Sequence, residues 1–383
     1  MNLVDEINQR KTEGLFRERK VVNSAQGPLI TINNEAFLNF SSNDYLGFAN
    51  HAGLKSCMIK AVDKYGIGAG SSQLLVGHST PHKLLEEKLS GFLNREAALV
   101  FSSGYHANLA IASVLIETNT VILQDKLNHA SLIDSALLSS GKLVRYRHND
   151  IDQLKRFLEK YKQNDLLVMT DGVFSMDGDY ALLAGIADLC KTYNALLVVD
   201  DAHGIGVLGE SGAGLLEELN LDQKQVPLLI GSFGKSFGAS GAFLSGSSLH
   251  VEAFIQKART YIYTTALLPS VAATMSHAID LVVNGSHLRE HIKGLINRYK
   301  KLINEPGLNI SESKSHIQPL IIGEVGKTLA LSKALYEKKI LAPAIRPPTV
   351  PEGTSRLRIS ITAAHKKDQI ECLVSTIKDI LND

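Results

Sequence analysis

The stretch Leu196–Glu210, LLVVDDAHGIGVLGE, joins an apolar run to a group of acidic, imidazole and glycine residues. The run LLVV predicts a buried strand that ends at Asp200. Gly204, Gly206 and Gly209 follow in the G-x-G-x-x-G spacing that also occurs in dinucleotide-binding loops. The stretch could therefore be a phosphate-binding loop, or a site built on the residues DDAH.

The residues around these glycines argue against a nicotinamide-dependent dehydrogenase. We keep this function only as a distant alternative. In a dinucleotide-binding loop the first glycine follows the strand directly, so that the helix N-terminus faces the pyrophosphate. Here Asp200 and Asp201 stand between strand and glycines, where two carboxylates would repel a phosphate. The acid expected about twenty residues further on, at the end of a second strand, is missing. Glu217 and Glu218 fall in a helical segment instead.

Two further motifs fail on their own context. The residues GKS at 234–236 resemble the end of a P-loop, but the first glycine of that motif would fall at position 229, where the chain has leucine. The pairs His78/His82 and His287/His291 have the i, i+4 spacing of metal ligands on a helix, but they lack a third ligand. The sequence therefore predicts neither an NTPase nor a metal site.

Composition and charge narrow the class of protein. Of the 383 residues, 44% are hydrophobic and 21% charged, which is typical of a globular protein. The 40 basic and 39 acidic residues give a net charge of +1 and form no long run, so no nucleic-acid or membrane surface is indicated. The three cysteines are far apart, and the charged N-terminus does not resemble a signal peptide. We expect buried free thiols and a cytoplasmic protein.

The order of apolar and helical segments predicts the architecture. From about residue 82 to 246, short apolar runs such as AALVFSS, TVILQD and LLVMTDG alternate with helical segments. This pattern is typical of an α/β fold with a mostly parallel central sheet and helices on both faces. Residues 3–20 predict a polar amphipathic helix, and LITIN and AFLNF predict two short strands. We therefore predict an N-terminal region at 1–45, a large α/β domain at 46–270, and a smaller α+β domain at 271–383.

Three residues at the predicted sheet edge suit one kind of chemistry. Asp200 ends a strand, His203 follows it closely, and Lys235 comes after the next strand, PLLIGSFG. Adjacent parallel strands would place these side chains around one crevice, where ligands of such sheets bind. An acid, an imidazole and a lysine beside glycine loops suit pyridoxal phosphate (PLP), an aldehyde that forms a Schiff base with lysine. Spacing alone leaves open the alternative that these three residues are unrelated and lie separately on the surface.

Seven stretches of the chain match the patterns of a known family. They are SSNDYLGFA (41–49), FSSGYHAN (101–108), LNHASLIDSA (127–136), DGVFSMDGD (171–179), VDDAHGIGVLGE (199–210), GSFGKSFGASG (231–241) and IRPPTVPEGTSRLRISITAAH (345–365). Together they resemble the α-oxoamine synthase family of PLP-dependent enzymes over nearly the whole chain. The resemblance implies the PLP-dependent aminotransferase-like fold (fold type I), with PLP bound by the domain at 46–270.

The stretches IRPPTVP and RLRIS are similar to one branch of this family. That branch condenses L-alanine with a pimeloyl thioester, with loss of carbon dioxide, in biotin biosynthesis. The acyl carrier stays open between coenzyme A and an acyl carrier protein. Another family member, such as a glycine C-acetyltransferase, and a non-catalytic protein with the same fold stay as alternatives.

The resemblance assigns residues to the cofactor ring. Lys235 resembles the Schiff-base lysine and the general base that removes the Cα proton. Asp200 would keep the pyridine nitrogen protonated. His203 and Ser175 resemble the partners of the phenolic oxygen. His129 resembles the imidazole that stacks on the ring and reaches the substrate carboxylate. The glycines after DDAH are expected to let the chain turn tightly beside the cofactor, and Asp201 is expected to be structural.

Other residues are assigned to the phosphate. Gly104 and Tyr105, at a predicted strand-to-helix turn, can offer backbone N–H groups, and the helix N-terminus favours an anion. Ser232 adds a hydroxyl where the family usually has threonine. A hydroxyl of Thr264 or Thr265 reaches the phosphate from the neighbouring subunit in the family, which implies a homodimer with shared active sites.

The substrate residues come from the ends of the chain. Arg358 resembles the bidentate clamp on the alanine carboxylate, a geometry that suits a guanidinium, and Asn43 is expected to assist. Arg17, placed on the first helix with Arg19 as its rival, and Thr349 resemble contacts to the acyl chain.

Two positions depart from the family pattern. Asp171 stands where glutamate is expected, and Gln73 stands where relatives often have arginine or glycine.

Overall fold

The computed structural model describes residues 2–304 and 309–382. A π-helical turn, Gln73–Gly77, lies between the second and third helices. In chain order the helices and strands are α1 (Leu3–Thr12), β1 (Leu29–Ile32), β2 (Glu35–Asn39), α2 (Ala52–Tyr65), α3 (Thr80–Phe92), β3 (Ala97–Phe101), α4 (Gly104–Val114), β4 (Thr120–Asp125), α5 (Ala130–Leu137), β5 (Lys142–Tyr146), α6 (Ile151–Lys160), β6 (Asp165–Asp171), α7 (Leu183–Thr192), β7 (Leu196–Asp200), α8 (Leu215–Glu218), β8 (Leu228–Ser232), β9 (Ala242–Gly246), α9 (Ser248–Lys257), α10 (Arg259–Ile262), α11 (Pro269–Val283), α12 (Ser286–Ile303), β10 (Asn309–Ile310), β11 (Ile317–Gly323), α13 (Val325–Glu337), β12 (Ile340–Leu341), β13 (Ala344–Ile345), β14 (Ser355–Ser360) and α14 (Lys367–Asn382).

The chain forms two compact units. The first unit contains residues 1–49, 175–179 and 290–383, and the second contains 50–174 and 180–289. Helix α11 belongs to the second unit because it packs on α2 and α3. The domain ranges 1–45, 46–270 and 271–383 stay a prediction.

The second unit is built on a seven-stranded sheet. Its strand order is β3-β9-β8-β7-β6-β4-β5. The pairs β8/β7, β7/β6, β6/β4 and β4/β5 are parallel, while β9 runs antiparallel to both of its neighbours. The predicted mostly parallel sheet is therefore confirmed. Its buried residues, such as Leu99, Met169 and Val198, pack with Ile111 of α4 and Phe254 of α9 in one apolar cluster.

Register places the ends of the parallel strands side by side. Asp171, the last residue of β6, pairs with Asp200, the last residue of β7, and Asp200 pairs in turn with Ile230 of β8. Because parallel strands end at the same edge of a sheet, the loops after β4, β6, β7 and β8 start from one edge. The residues that follow these strands can therefore form one site within this unit.

The first unit contains two smaller sheets. Strands β1 and β2 form an antiparallel hairpin whose turn residues, Asn33 and Asn34, have left-handed φ angles of 50° and 64°. Strand β12 joins this hairpin in parallel, and the second sheet has the order β10-β11-β14-β13. The strands predicted at LITIN and AFLNF are present as β1 and β2, and helix α14 packs on α13.

The predicted first helix is too long. It ends at Thr12, and Gly14 has a φ of +68°, which turns the chain away from the helix axis. Arg17 therefore lies in the segment after the helix and not on it. Among the described residues, no helix combines the length and the apolar character needed to cross a membrane. The three cysteines are free thiols, but only Cys190 is buried.

Candidate active site

Asp200 is a buried carboxylate at the carboxyl end of β7, with a side chain that is 7% exposed. It accepts hydrogen bonds from the side-chain amide of Asn108 at 2.6 Å and from the backbone N–H of Ala202 at 3.0 Å. The N–H of Gly172 donates to its carbonyl oxygen at 2.7 Å, which ties the β6 loop to the end of β7. These donors are neutral, so they orient the carboxylate and leave its negative charge for a cationic ligand atom.

A chain of hydrogen bonds connects Asp200 to His129. The amide of Asn108 donates to Asp200 and also to Ser131 Oγ, at 2.8 Å. Because Ser131 Oγ accepts this bond, its own proton is directed to His129 Nδ1, 2.7 Å away. The backbone N–H of Ser131 donates to the same nitrogen at 3.3 Å. Nδ1 is thus an acceptor, which assigns the ring proton of neutral His129 to Nε2.

Asp171 fixes His129 from the other side. Its Oδ2 accepts the backbone N–H of His129 at 2.7 Å. Burial, followed by the neighbouring Asp200 charge, raises the pKa of Asp171 well above its ordinary value. The His129 N–H and the charge of Lys235 act in the opposite direction and offset only part of this rise. The shorter aspartate, found where glutamate was expected, therefore makes a direct contact to a predicted site residue.

Lys235 lies in the loop that joins β8 to β9. This loop is closed at its base by the hydrogen bond from Phe233 N to Gly241 O, at 2.9 Å. Inside it, Gly238 N donates to the carbonyl of Lys235, also at 2.9 Å, and Gly238 has a φ of +69°. Since β8 is the parallel neighbour of β7, the loop starts beside the end of the strand that carries Asp200.

The N-terminus of α4 provides donors for an anion. Gly104 and Tyr105 form its first turn, where backbone N–H groups have no carbonyl partner within the helix. Ala242 of β9 pairs with Phe101, the last residue of β3, and with Ser232, the last residue of β8. The α4 N-terminus and the Ser232 hydroxyl thus start from neighbouring positions on the same edge of the sheet, as a phosphate site requires.

Asp201 explains much of the glycine pattern. It is fully buried, and its Oδ2 accepts the N–H of Leu215 at 2.7 Å. A Cβ on Gly204 would lie 2.1 Å from its Oδ1, one on Gly214 would lie 2.2 Å from its Oδ2, and one on Gly172 would lie 2.6 Å from its Oδ1. Gly204 therefore makes room for the carboxyl group of Asp201. The expectation of tight turns holds for Gly206, with a φ of +96°.

The remaining ring residue, His203, lies in the same turn. Its side chain is 7% exposed. The N–H groups of Gly204 and Ile205 both donate to the Asp201 carbonyl, at 3.1 and 3.0 Å, and this closes the turn around the histidine. His203 therefore follows Asp200 on a short, hydrogen-bonded segment.

These residues fit pyridoxal phosphate. The group needs a buried carboxylate for its ring nitrogen, an amine for its aldehyde and an anion site for its phosphate. Asp200, Lys235 and the α4 N-terminus with Ser232 supply these three on one sheet edge. In the described part of the chain, no cluster of three or more histidine, cysteine or acidic side chains could hold a metal ion.

In the first unit, Arg358 is buried and held in place by three hydrogen bonds. Its Nε donates to the carbonyl of Ser175 at 2.6 Å, Nη1 donates to Ser360 Oγ at 2.8 Å, and Nη2 donates to the hydroxyl of Tyr45 at 3.2 Å. These bonds use one N–H on each terminal nitrogen and leave a second N–H on each that can donate to a carboxylate. The Tyr45 hydroxyl donates to Asn43 at 3.0 Å, so the structure groups Arg358, Asn43 and Ser175.

A cavity of about 890 Å³ lies within the same unit, and Arg17 is among its lining residues while Arg19 is not. Arg346 connects this region to the loop of Thr349. Its guanidinium donates to the carbonyls of Gly14 and Phe16, the latter at 2.6 Å, and its carbonyl accepts the N–H of Thr349 at 3.1 Å. Arg346 thus links the backbone that precedes Arg17 with the loop of Thr349.

Sequence reasoning missed several of these residues. Asn108, Ser131 and Tyr45 all lie inside the quoted motifs, but no role was assigned to them. An asparagine in an otherwise apolar helical segment, NLAIASV, was the available signal, since a buried amide needs partners. Arg346 also lies in a quoted motif, and its partners are backbone carbonyls that a motif does not reveal.

Comparison with known proteins gives one family over most of the chain. Residues 35–377 match the family model for aminotransferase class I and II. An 8-amino-7-oxononanoate synthase of Thioalkalivibrio sulfidiphilus is 45% identical over 98% of this chain and 96% of its own length. A protein of the same name from Pseudomonas entomophila is 44% identical over 99% and 97%.

Solved structures agree with this match. A serine palmitoyltransferase of Sphingomonas wittichii superposes with a TM-score of 0.93 at 30% identity, covering 98% of this chain and 96% of the other. One from S. paucimobilis with bound PLP gives 0.93 at 28% identity, with the same coverage. An 8-amino-7-oxononanoate synthase of Francisella tularensis gives 0.80 at 30% identity, covering 90% and 98%.

Proposed function

The chain belongs to the aminotransferase class I and II family, and we propose that within it the chain is an 8-amino-7-oxononanoate synthase. The enzyme condenses L-alanine with a pimeloyl thioester and releases carbon dioxide and the thiol. Relatives of that name, 43–45% identical over nearly the full chain, support this assignment.

The observation that carries the proposal is the pairing of β7 with β8. It sets a buried acid, Asp200, and the loop of Lys235 on adjacent strands. Pyridoxal phosphate, when bound, supplies an aldehyde for an amine and a ring that takes up the electron pair released at Cα. Asp200 holds the proton on the ring nitrogen, and Gly104, Tyr105 and Ser232 bind the phosphate. His203 and Ser175 donate to the phenolic oxygen.

Lys235 moves the substrate proton. With alanine bound, its Nζ would remove the proton from Cα and would later return one to the product. His129, whose Nδ1 is occupied by Ser131, would pack against the cofactor and would offer Nε2–H to the substrate carboxylate. Carbon dioxide leaves after the acyl chain has been joined to Cα.

The first unit supplies the residues that bind the substrates. Arg358 binds the alanine carboxylate through the two N–H groups that its internal bonds leave, and Asn43 assists. Arg17 and Thr349 contact the acyl chain. The cavity beside Arg17 supports its selection over Arg19.

We also propose a cytoplasmic homodimer with shared sites, in which Thr264 or Thr265 reaches the phosphate of the neighbouring subunit. Exposed apolar side chains next to this segment support a second copy as the partner. Leu75, Val76 and Tyr263 are 78%, 80% and 71% exposed in the single chain. A dimer would remove this apolar surface from water.

The test uses purified protein loaded with pyridoxal phosphate. Borohydride reduction and peptide mass spectrometry should locate the cofactor on Lys235, and the Lys235→Ala variant should carry no label.

A second experiment tests the substrates. Alanine, glycine and serine are offered in turn with pimeloyl-CoA and with pimeloyl-acyl carrier protein. We expect 8-amino-7-oxononanoate from alanine with at least one thioester. Turnover of glycine or serine alone would contradict the proposal.

A further inference from the structure

We propose that Gln73, His78, His82 and Glu86 form a positioning cluster that fixes the segment Thr264–Leu267 in each subunit. The inference rests on the proposed function, in which this segment reaches the phosphate of the neighbouring subunit. The cluster would then control cofactor binding in the site across the dimer, and not in the site of its own subunit.

His82 holds the end of the segment directly. It is fully buried, and its Nε2 lies 2.7 Å from the carbonyl oxygen of Leu267. A carbonyl can only accept, so Nε2 carries the proton. Nδ1 accepts the backbone N–H of Ser79 at 3.2 Å, which agrees with that tautomer. Both ring nitrogens are therefore used, and the neutral ring acts as a fixed bridge between α3 and the segment.

The loop before the π-helical turn holds the other end of the segment. Ala266 N donates to the carbonyl of Ser71 at 3.0 Å, and Ser72 forms an antiparallel bridge with Thr265. Gly77 closes this loop so tightly that a Cβ there would lie 2.2 Å from the Ser71 carbonyl oxygen. The conformation of this loop thus fixes the backbone at Thr265. Gln73 follows directly after Ser72 in the same loop.

Gln73 and Glu86 anchor the loop to the edge of the sheet. Strand β3 is an edge strand, so the outward N–H and carbonyl of Val100 need partners from outside the sheet. Glu86 Oε1 accepts that N–H at 3.0 Å, and Gln73 Nε2 donates to that carbonyl at 2.8 Å. His78 joins the two side chains, with Nδ1 2.9 Å from Gln73 Oε1 and Nε2 4.0 Å from Glu86 Oε2.

The cluster therefore connects the sheet edge, α3 and the loop to a single segment. Gln73 is also one of the two positions where this chain departs from the family pattern. A side chain that both donates and accepts is what the geometry at Val100 and His78 requires. An arginine could not accept from His78, and a glycine would leave both partners without a bond.

A second histidine in the first unit provides a matched control. His365 is buried, its Nδ1 accepts the N–H of Thr362 at 3.0 Å, and its Nε2 lies 3.0 Å from the carbonyl oxygen of Asn39. This is the arrangement of His82 in another place. His365→Leu should therefore cost stability as His82→Leu does, without acting on the segment.

The first test needs no cofactor. Hydrogen exchange of the Ala266 amide should become about tenfold faster in His82→Leu and in Gln73→Leu, as expected for the loss of one buried hydrogen bond. His82→Gln, which keeps a donor for the Leu267 carbonyl, should restore slow exchange, and His365→Leu should leave it unchanged. Equal exchange in wild type and both cluster variants would overturn the proposal.

The second test uses mixed dimers with one lysine-bearing site. In one dimer, a single chain carries both Lys235→Ala and His82→Leu, and its partner is wild type. In the other dimer, the two substitutions are on different chains. PLP should bind about tenfold more weakly to the lysine-bearing site of the first dimer only. Equal affinity in the two dimers would overturn the inference, whereas failure of wild-type protein to bind PLP at all would contradict the proposed function instead.

Discussion

The side-chain amide of Asn108 donates to Asp200 at 2.6 Å, although the two residues are 92 positions apart in the chain. Asn108 lies on α4 and Asp200 at the end of β7. The helix whose N-terminus is proposed to bind the phosphate thus also holds the acid that is proposed to bind the ring nitrogen. In the proposed site, one helix would therefore fix the distance between the phosphate donors and the acid for the ring nitrogen.

Asn108→Leu should weaken PLP binding by about 10- to 100-fold, because a hydrogen bond to a charged group contributes about 1.5–3 kcal/mol. Absorbance titration of the cofactor-free protein measures this change. Asn39 is a buried amide in the first unit, and Asn39→Leu serves as the control, with unchanged PLP affinity. Equal affinities for Asn108→Leu and wild type would contradict the role of this bond.

Arg358→Lys should raise the KM for alanine by about 10- to 100-fold and change kcat less, because a lysine cannot form the paired bonds to a carboxylate. Steady-state kinetics with varied alanine measures the effect. Arg356 is buried on the same strand and paired with Asp177. Arg356→Lys should leave the KM for alanine near the wild-type value, and a similar rise in both variants would show that Arg358 acts through packing.

Asp201→Asn should change how stability depends on pH. Burial and the nearby Asp200 charge raise the pKa of Asp201 to about 8, so the folded protein keeps a proton that the unfolded chain loses above about pH 4. The resulting stabilisation is full below about pH 4 and falls by about 1.4 kcal/mol per pH unit up to about pH 8.

Asparagine has no proton to lose, so the free energy of unfolding of Asp201→Asn should rise relative to wild type across this range of pH. Urea unfolding of both cofactor-free proteins at several pH values checks the prediction. Asp188→Asn changes an exposed carboxylate on α7 and is the control. A difference between Asp201→Asn and wild type that is independent of pH would refute the prediction.

Gly204→Ala should lower the free energy of unfolding by about 1–3 kcal/mol, the usual cost of overpacking a core. The three atoms nearest to the added Cβ all belong to the Asp201 side chain. The cost should therefore fall by at least half in an Asp201→Ala background, as a double-mutant cycle would show. Gly294→Ala, in open space on α12, should be neutral or slightly stabilising. A cost that is the same in both backgrounds would mean that Gly204 serves another purpose.

The fold could be predicted where the apolar pattern was regular. The strands ending at Asp171, Asp200 and Ser232 are continuous apolar runs, so strands of a mostly parallel sheet were predicted there. Strand β5, with its charged residues Lys142 and Arg145, lies at the sheet edge and lacks such a run, and it was missed. The first helix was predicted to continue to residue 20 because its polar pattern continues, but Gly14 interrupts it.

The site could be predicted in part. The spacing in the sequence predicted that Asp200 ends one strand and that Lys235 follows the neighbouring strand. The bridge formed by Asn108 and Ser131 depends on packing between two helices, and motifs do not encode such distances. The glycines after DDAH were expected to let the chain turn tightly beside the cofactor, and Gly206, with its φ of +96°, does form such a turn. The close approach of Gly204 to the buried Asp201 carboxyl group was not predicted, because it depends on the packing of a side chain.

The loop of Lys235 is closed at its base by backbone hydrogen bonds within the protein. Phe233 and Gly241 are hydrogen-bonded across its base, and the flanking residues Ser232 and Ala242 are paired in the sheet. The amine therefore needs no search through alternative loop shapes to meet an incoming aldehyde. Binding of PLP to the cofactor-free protein should then be a simple second-order process. Its observed rate should rise in proportion to PLP concentration and reach no early plateau.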